Sequence, residues 1–177
     1  MFKTCPSSRR FARVVPFVAA ILAAAVTLSP VRADEIPPPV MLGAVFSQTG
    51  SAAGYGASQV NGAQLAVDEV NKFAGVGGEL ALDVRDDASD ATKAHDAFGA
   101  LIDDGVVALL GPTLSNSALV SDPLAQARGV PVLGISNTID GITGIGDYVF
   151  RNSLAESVVQ PRTVKIAKRK LHLRRVA

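Results

Sequence analysis

The chain has 177 residues, 48% of them apolar, with 17 basic against 16 acidic side chains, a balance that suits one ordinary globular domain. Its single cysteine, Cys5, lies in a basic N-terminal leader, which excludes disulfides and a cysteine nucleophile from the chain that follows. The average composition conceals three unlike parts.

The first part reads as a targeting segment. Lys3, Arg9, Arg10 and Arg13 precede the apolar run Val14 to Leu28, and Ser29-Pro30-Val31-Arg32-Ala33 places small or β-branched residues where a signal peptidase cuts. The run has 15 residues and includes Pro16, short of the about 20 that a membrane span needs. Residues 1–33 are therefore expected to be a signal peptide cleaved after Ala33, and the chain to be secreted. Arg9-Arg10 is followed directly by Phe11, without the intervening residue of a twin-arginine signal, so the export route stays open. Without the leader, 12 basic residues face 16 acidic ones, a net charge of −4. All the acids lie within 34–161, whereas Arg162 to Ala177 holds seven bases and no acid. In a secreted chain that basic cluster reads as a solvated helix face and not as a nucleic-acid surface.

The second part, from Pro37 to Asn152, alternates strand and helix. Pro37-Pro38-Pro39 is a stiff lead-in to Val40–Phe46, an unbroken apolar run of strand length that reads as a central strand buried on both faces. A polar, glycine-rich loop from Ser47 to Gly54 leads to a helix with Val60, Ala63, Val67 and Val70 on one stripe, ending by Gly75. Leu80, Leu82 and Val84 alternate into a second strand that runs into Asp86-Asp87. Ser89 or Asp90 caps the next helix, with Ala94, Ala97, Phe98 and Leu101 facing inward and Gly105 closing it. Val106–Leu110 forms a third strand, Ser115–Arg128 a third helix, Val130–Ile135 a fourth strand, and Tyr148–Arg151 a fifth strand or a crossing segment. This alternation predicts an α/β fold, a parallel sheet covered by helices on both faces. Leu109 to Ser117 stands out within it. An apolar strand stops at Gly111-Pro112 and opens into Thr113, Ser115, Asn116 and Ser117 at a helix N-terminus, where open α/β sheets bind small anionic groups.

The third part, 153–177, begins another unit. Val158, Val159, Ile166, Ala167 and Leu171 share a helical face, Pro161 is tolerated early in it, and Leu173 to Ala177 reads as the start of a strand. A five-residue edge strand with no following helix buries little, so the expectation is a truncated product or a fragment.

Other chemistries find no support in the residues. Asp86-Asp87 lacks a third oxygen ligand at metal-binding spacing. A phosphate-accepting receiver needs an aspartate where the third strand ends in Gly111-Pro112. The motif G-x-x-x-x-G-K-[ST] does not occur, and Gly141-Ile142-Thr143-Gly144-Ile145-Gly146 has its glycines in the wrong order for the dinucleotide fingerprint. His95 and His172 have no serine or cysteine partner nearby and read as surface residues. No enzymatic activity, cofactor or metal is expected.

Six segments in register carry a resemblance: Gly43 to Gly50, Tyr55-Gly56 with Asn61-Gly62-Ala63, Asp86 to Asp90, Gly111 to Ser117, Gly134 to Thr138, and Phe150-Arg151-Asn152. In this order they resemble the first lobe of the periplasmic leucine/isoleucine/valine-binding proteins of ABC transporters, over nearly all of Val40 to Ala177. The resemblance implies a type I periplasmic binding fold with a flavodoxin-like strand order. It implies an N-terminal ligand-binding lobe over 34–152, and over 153–177 a crossover helix and first strand of a second lobe that is largely missing. It also implies a periplasmic location, an amino-acid ligand and delivery to a membrane permease. By position, Ser115, beside Asn116 and backbone N–H groups, matches the receiver of the ligand α-carboxylate. Ser136 and Thr138 match the loop that takes the α-ammonium through a backbone carbonyl and the threonine hydroxyl, and Tyr55 matches an aromatic near the ligand side chain. A preorganised neutral site of this kind holds both ends of a zwitterion without burying an unpaired protein charge. Ser89 and Leu114 stand where some members carry a disulfide, and Ser136 where the best-known members have alanine. The alternatives are a binding protein or sensor for a small amide or urea, a non-functional fragment, and a flavodoxin-like enzyme domain. Singly, Ser115 reads as a helix N-cap, Thr138 as a turn hydroxyl and Tyr55 as a surface aromatic; the ends of adjacent strands bring the first two together as a site.

Overall fold

The computed structural model describes residues 38–73 and 78–172. The signal peptide, its cleavage point after Ala33, the helix stop at Gly75 and the strand Leu173–Ala177 lie outside the described residues. Within them the elements follow in the order β1 (Val40–Phe46), α1 (Ala53–Phe73), β2 (Leu80–Asp86), α2 (Ala91–Asp103), β3 (Ala108–Leu110), α3 (Ser115–Arg128), β4 (Val132–Gly134), a 3-10 turn (Ile142–Gly144), β5 (Val149–Arg151) and α4 (Glu156–Lys170). The five strands form one sheet in the order β2-β1-β3-β4-β5, with every pairing parallel. The alternation predicts the parallel sheet, the resemblance implies its flavodoxin-like order, and residues 149–151 form its fifth strand.

Period-two alternation divides the strands between two cores. Val45 and Leu109 join Phe98, Leu101, Ala118, Ala125 and Val132 on the face covered by α2 and α3. Ala44 and Phe46 point the other way, to Ala63 of α1 and the flanking Val60, Leu82, Val84 and Leu110. β1 contributes to both cores, which is why its seven residues read as a continuous apolar run rather than an alternating one. The result is three layers, with α1 on one face of the sheet and α2 and α3 on the other.

Caps and close approaches fix the helices on these faces. Asp90 is the cap of α2, its side chain accepting from the Lys93 N–H at 2.9 Å. α3 ends on Gly129 in the left-handed conformation. The first turn of α1 presses on the strand before it: a Cβ on Gly56 would collide with the backbone carbonyl of Ser47. At Gly111, φ is +103° and a side chain would meet the carbonyl of Val45, so β3 leaves the sheet by a path open to glycine. α4 has no buried residue, and Val158, Val159, Val164 and Ile166 of its predicted inner face or beside it are exposed.

One buried group works against the fold. Asp122 of α3 is 1% exposed, and neither carboxylate oxygen has a hydrogen-bond partner among the described residues; the hydroxyls of Ser117 and Ser121 are likewise buried and unpartnered. Burial pushes the Asp122 carboxyl up to about 7, from an ordinary 3.8. The folded chain thus keeps a proton that the unfolded chain releases, and stability falls as pH rises between those two values and levels off above them.

Two outcomes are expected. Gly56→Ala destabilises by roughly 1–3 kcal/mol through overpacking, although alanine is the better helix former by about 1 kcal/mol. Gly62→Ala, in the same helix with open space around it, stabilises by roughly 0.5–1 kcal/mol. Urea midpoints of the two variants check this, and stabilisation by both would refute the collision at Ser47. Asp122→Asn is expected to exceed the parent chain by roughly 2–4 kcal/mol at pH 8 and to approach it near pH 4. Urea unfolding across that range reads the effect, and a pH-independent difference would rule out the buried carboxyl as its cause.

Candidate functional site

Because all five strands are parallel, the loops after β1, β2, β3 and β4 leave the sheet along one edge, at its carboxyl ends. This edge is polar, and much of it is buried. Asp87, fully buried, accepts from the Ser47 hydroxyl at 2.6 Å and from the Ser89 N–H at 2.8 Å. The Ser47 N–H in turn donates to Thr113 Oγ1 at 2.9 Å. Asp86 beside it receives Gln48 N–H, Thr49 N–H, the Thr49 hydroxyl and Ala88 N–H at 2.7–3.2 Å. Burial alone would raise its carboxyl, but these donors, the Thr49 hydroxyl foremost, hold it below the usual carboxylate range. Asp86-Asp87 is thus a hydrogen-bonded strand end. Ser89 also fastens the first loop, donating to the Thr49 carbonyl at 3.0 Å and accepting from Ala52 N–H at 3.0 Å.

Ser115 does not cap α3. The cap residue is Leu114, which makes no side-chain cap bond. Freed from that role, the Ser115 hydroxyl oxygen accepts from the Thr138 N–H at 3.1 Å, and more distantly from Ile139 N–H at 3.5 Å. Its own proton then has no acceptor among the described residues. The first backbone hydrogen bond of α3 is Ala118 N–H to the Leu114 carbonyl, so the N–H groups of Ser115, Asn116 and Ser117 are open at the helix N-terminus. Together they form a compact set of donors on the partial positive charge of a helix end.

Acceptors lie across the gap, on the loop after β4. The carbonyls of Asn137, Thr138 and Ile139 are all occupied: Ser153 Oγ donates to the first at 2.6 Å, Glu156 N–H to the second at 2.9 Å and Arg151 Nη1 to the third at 2.7 Å. Among the described residues the Ser136 carbonyl accepts no hydrogen bond. Thr138 Oγ1 donates to Glu156 Oε1 at 2.9 Å and keeps lone pairs to accept with. Asn137, buried, anchors the loop by donating to the Pro112 carbonyl at 3.0 Å.

Ser115, Ser136 and Thr138 are thus brought together at the ends of β3 and β4. Asn116 lies on the same first turn of α3, exposed, and its N–H is one of those open at the helix end. Tyr55, on the first turn of α1, is 72% exposed and makes no side-chain hydrogen bond among the described residues, so it touches none of the other four through one. Sequence reasoning missed two members. Gln59 bonds to Thr113 and Ser136 from α1. Glu156, in the first turn of α4, bonds to Thr138. An acidic residue opening a helix directly after a strand is a readable signal for Glu156, whereas a glutamine inside a helix carries none.

Comparison with known proteins accounts for this layout. A family model described as periplasmic binding protein matches residues 39–177. The Leu/Ile/Val-binding protein BraC3 of Rhizobium johnstonii is 35% identical over 129 residues, 72% of this chain and 34% of that one. A Leu/Ile/Val-binding protein homologue of Brucella suis, homolog 7, is 31% identical over 157 residues, 85% of this chain and 37% of its own. Among solved structures, the branched-chain amino acid transporter substrate-binding protein LivJ of Streptococcus pneumoniae, in complex with isoleucine, superposes with a TM-score of 0.73 and 31% identity, covering 76% of this chain and 39% of that one. The chain spans about a third of the length of the curated relatives it matches. With the flavodoxin-like sheet, the polar carboxyl edge and a family model matched over residues 39–177 all in agreement, the chain belongs to the periplasmic binding protein family.

Proposed function

We propose that this chain holds a free amino acid, a branched-chain one foremost, at the carboxyl ends of β3 and β4, as part of the substrate-binding component of an ABC transporter. In this reading residues 34–152 are the first lobe, and 153–177 open a second. The leader 1–33 directs the chain to the periplasm, and a membrane permease receives the ligand. The role is carriage and not catalysis, with no cofactor. The names of the relatives and the isoleucine held by the streptococcal protein support the choice of ligand class.

The observation that carries the reading is the Ser115 hydroxyl. It accepts the Thr138 N–H, and its own proton, with no acceptor among the described residues, is available beside the three open N–H groups of α3. Those donors suit an α-carboxylate, and they hold it without a buried protein cation to desolvate. On the loop after β4, the Ser136 carbonyl, which accepts no hydrogen bond among the described residues, and the Thr138 oxygen suit an α-ammonium, with the Glu156 carboxylate behind Thr138 adding negative potential. Tyr55 is assigned to the ligand side chain on the resemblance.

Equilibrium binding of L-leucine, L-glutamate and acetamide tests the reading. Leucine is expected to bind saturably and acetamide not to bind, since it has neither charged end. Ser115→Ala removes a hydrogen bond to a charged group, which is about 1.5–3 kcal/mol, so leucine affinity is expected to drop by roughly 10- to 100-fold. Leucinamide, lacking the carboxylate, is expected to lose as much against the parent chain and little further against the variant. Acetamide binding as well as leucine, or an unchanged affinity in Ser115→Ala, would overturn the assignment.

A further inference from the structure

We infer that Gln59 is a positioning residue that sets the polarity of the ligand edge, by dictating where the hydroxyl protons of Thr113 and Ser136 point. The inference rests on the proposed amino-acid site for its effect on binding, though not for the network itself. Gln59 projects from α1 to both neighbouring loops. Its Oε1 accepts the Thr113 hydroxyl at 2.6 Å, and its Nε2 donates to Ser136 Oγ at 2.8 Å. Each of these bonds forces the next.

A threonine hydroxyl has one proton. With that proton on Gln59, Thr113 Oγ1 acts only as an acceptor toward the Ser47 N–H, at 2.9 Å. Ser136 Oγ, already accepting from Gln59, sends its own proton to the Thr113 carbonyl at 2.6 Å. Turning the amide over would face Oε1 to Ser136, draw the serine proton away and leave the Thr113 carbonyl without its donor. The bonds therefore run in one direction only, from an amide that is both donor and acceptor.

The consequence reaches the ligand edge. Both hydroxyl protons are committed inward, so neither Thr113 nor Ser136 offers a donor to the gap. The Ser115 hydroxyl and the α3 N–H groups remain as donors, and the Ser136 carbonyl and Thr138 as acceptors. That separation distinguishes the two ends of a zwitterion, and it requires a side chain at position 59 that donates to one loop while accepting from the other. An ionised carboxylate there can only accept; it would take the Ser136 proton and strand the Thr113 carbonyl. A protonated carboxyl restores a donor. Through Ser47 the network reaches Asp87, and through Thr138 it adjoins Glu156; both are present in the parent chain, whose own pH profile is the control.

The experiment compares the full chain with Gln59→Glu and Gln59→Leu, by L-leucine binding and by thermal melting without ligand, from about pH 8 to about pH 5, across which a glutamate in this setting takes up its proton. Gln59→Glu is expected to bind leucine about tenfold more weakly than the parent at the alkaline end and to approach it at the acid end. Its ligand-free melting temperature should close on the parent's over the same range. Gln59→Leu should show both deficits at every pH, a pattern that lost packing alone would not share with a pH-dependent rescue of the glutamate. Parental leucine affinity and melting in Gln59→Leu, or deficits in Gln59→Glu that do not change with pH, would overturn the inference. If the parent itself fails to bind leucine, the proposed function fails, while the ligand-free melting profiles still decide the role of Gln59.

Discussion

Ser47 joins three strand ends, and the polar carboxyl edge of the sheet depends on that junction. Its hydroxyl donates to Asp87 after β2 and its N–H to Thr113 after β3, while the residue itself is the first after β1. All three residues are buried, where a hydrogen bond is electrostatically stronger and an unpaired polar group costs more than at the surface. From Thr113 the chain of bonds continues through Gln59 to Ser136 after β4. Four loops that leave the sheet separately are thereby held as one surface. A site made of backbone N–H and carbonyl groups has little side-chain reach of its own, so its precision comes from loops that do not move independently.

The interior of α3 is unusual. Its packing face combines Ala118 and Ala125 with Ser117, Ser121 and Asp122, all buried. Its first turn, with Ser115 and the open N–H groups, lies against the loop after β4. The buried carboxyl of Asp122 lowers stability at neutral pH, and no hydrogen bond among the described residues offsets it. Unpaired polar atoms of this kind, with Asp87 Oδ2 and Asn137 Oδ1 also among them, are tolerated where stabilisation comes from two apolar cores on either face of the sheet.

Much of the fold was legible because its signals are local and periodic. The apolar run of β1, the helical stripe of Val60, Ala63 and Val67, and Phe98 with Leu101 on α2 each announce their element and its inner face, and the structure buries them accordingly. Strand limits were less readable: β3 and β4 have three residues each, shorter than the apolar runs around them, because Val106 and Val130 pack without joining the ladder. Of the candidate site, Ser115, Ser136 and Thr138 were legible as hydroxyls in loops at the ends of strands. Their hydrogen-bond partners were not. Ser115 looks like a helix cap in sequence, and only the approach of Thr138 turns its oxygen away from α3.

Sequence by itself determined which residues are apolar at which period, and so the α/β class, the parallel sheet and the edge at which polar loops gather. Those follow from the backbone geometry of strands and helices, which acts over neighbours in the chain. Tertiary structure decided which donors and acceptors remain free once the loops have bonded to each other. Gln59 meets Ser136 across 77 positions and Ser47 meets Thr113 across 66. A hydroxyl proton has one destination, and which oxygen receives it is settled by whatever residue the fold brings within about 3 Å.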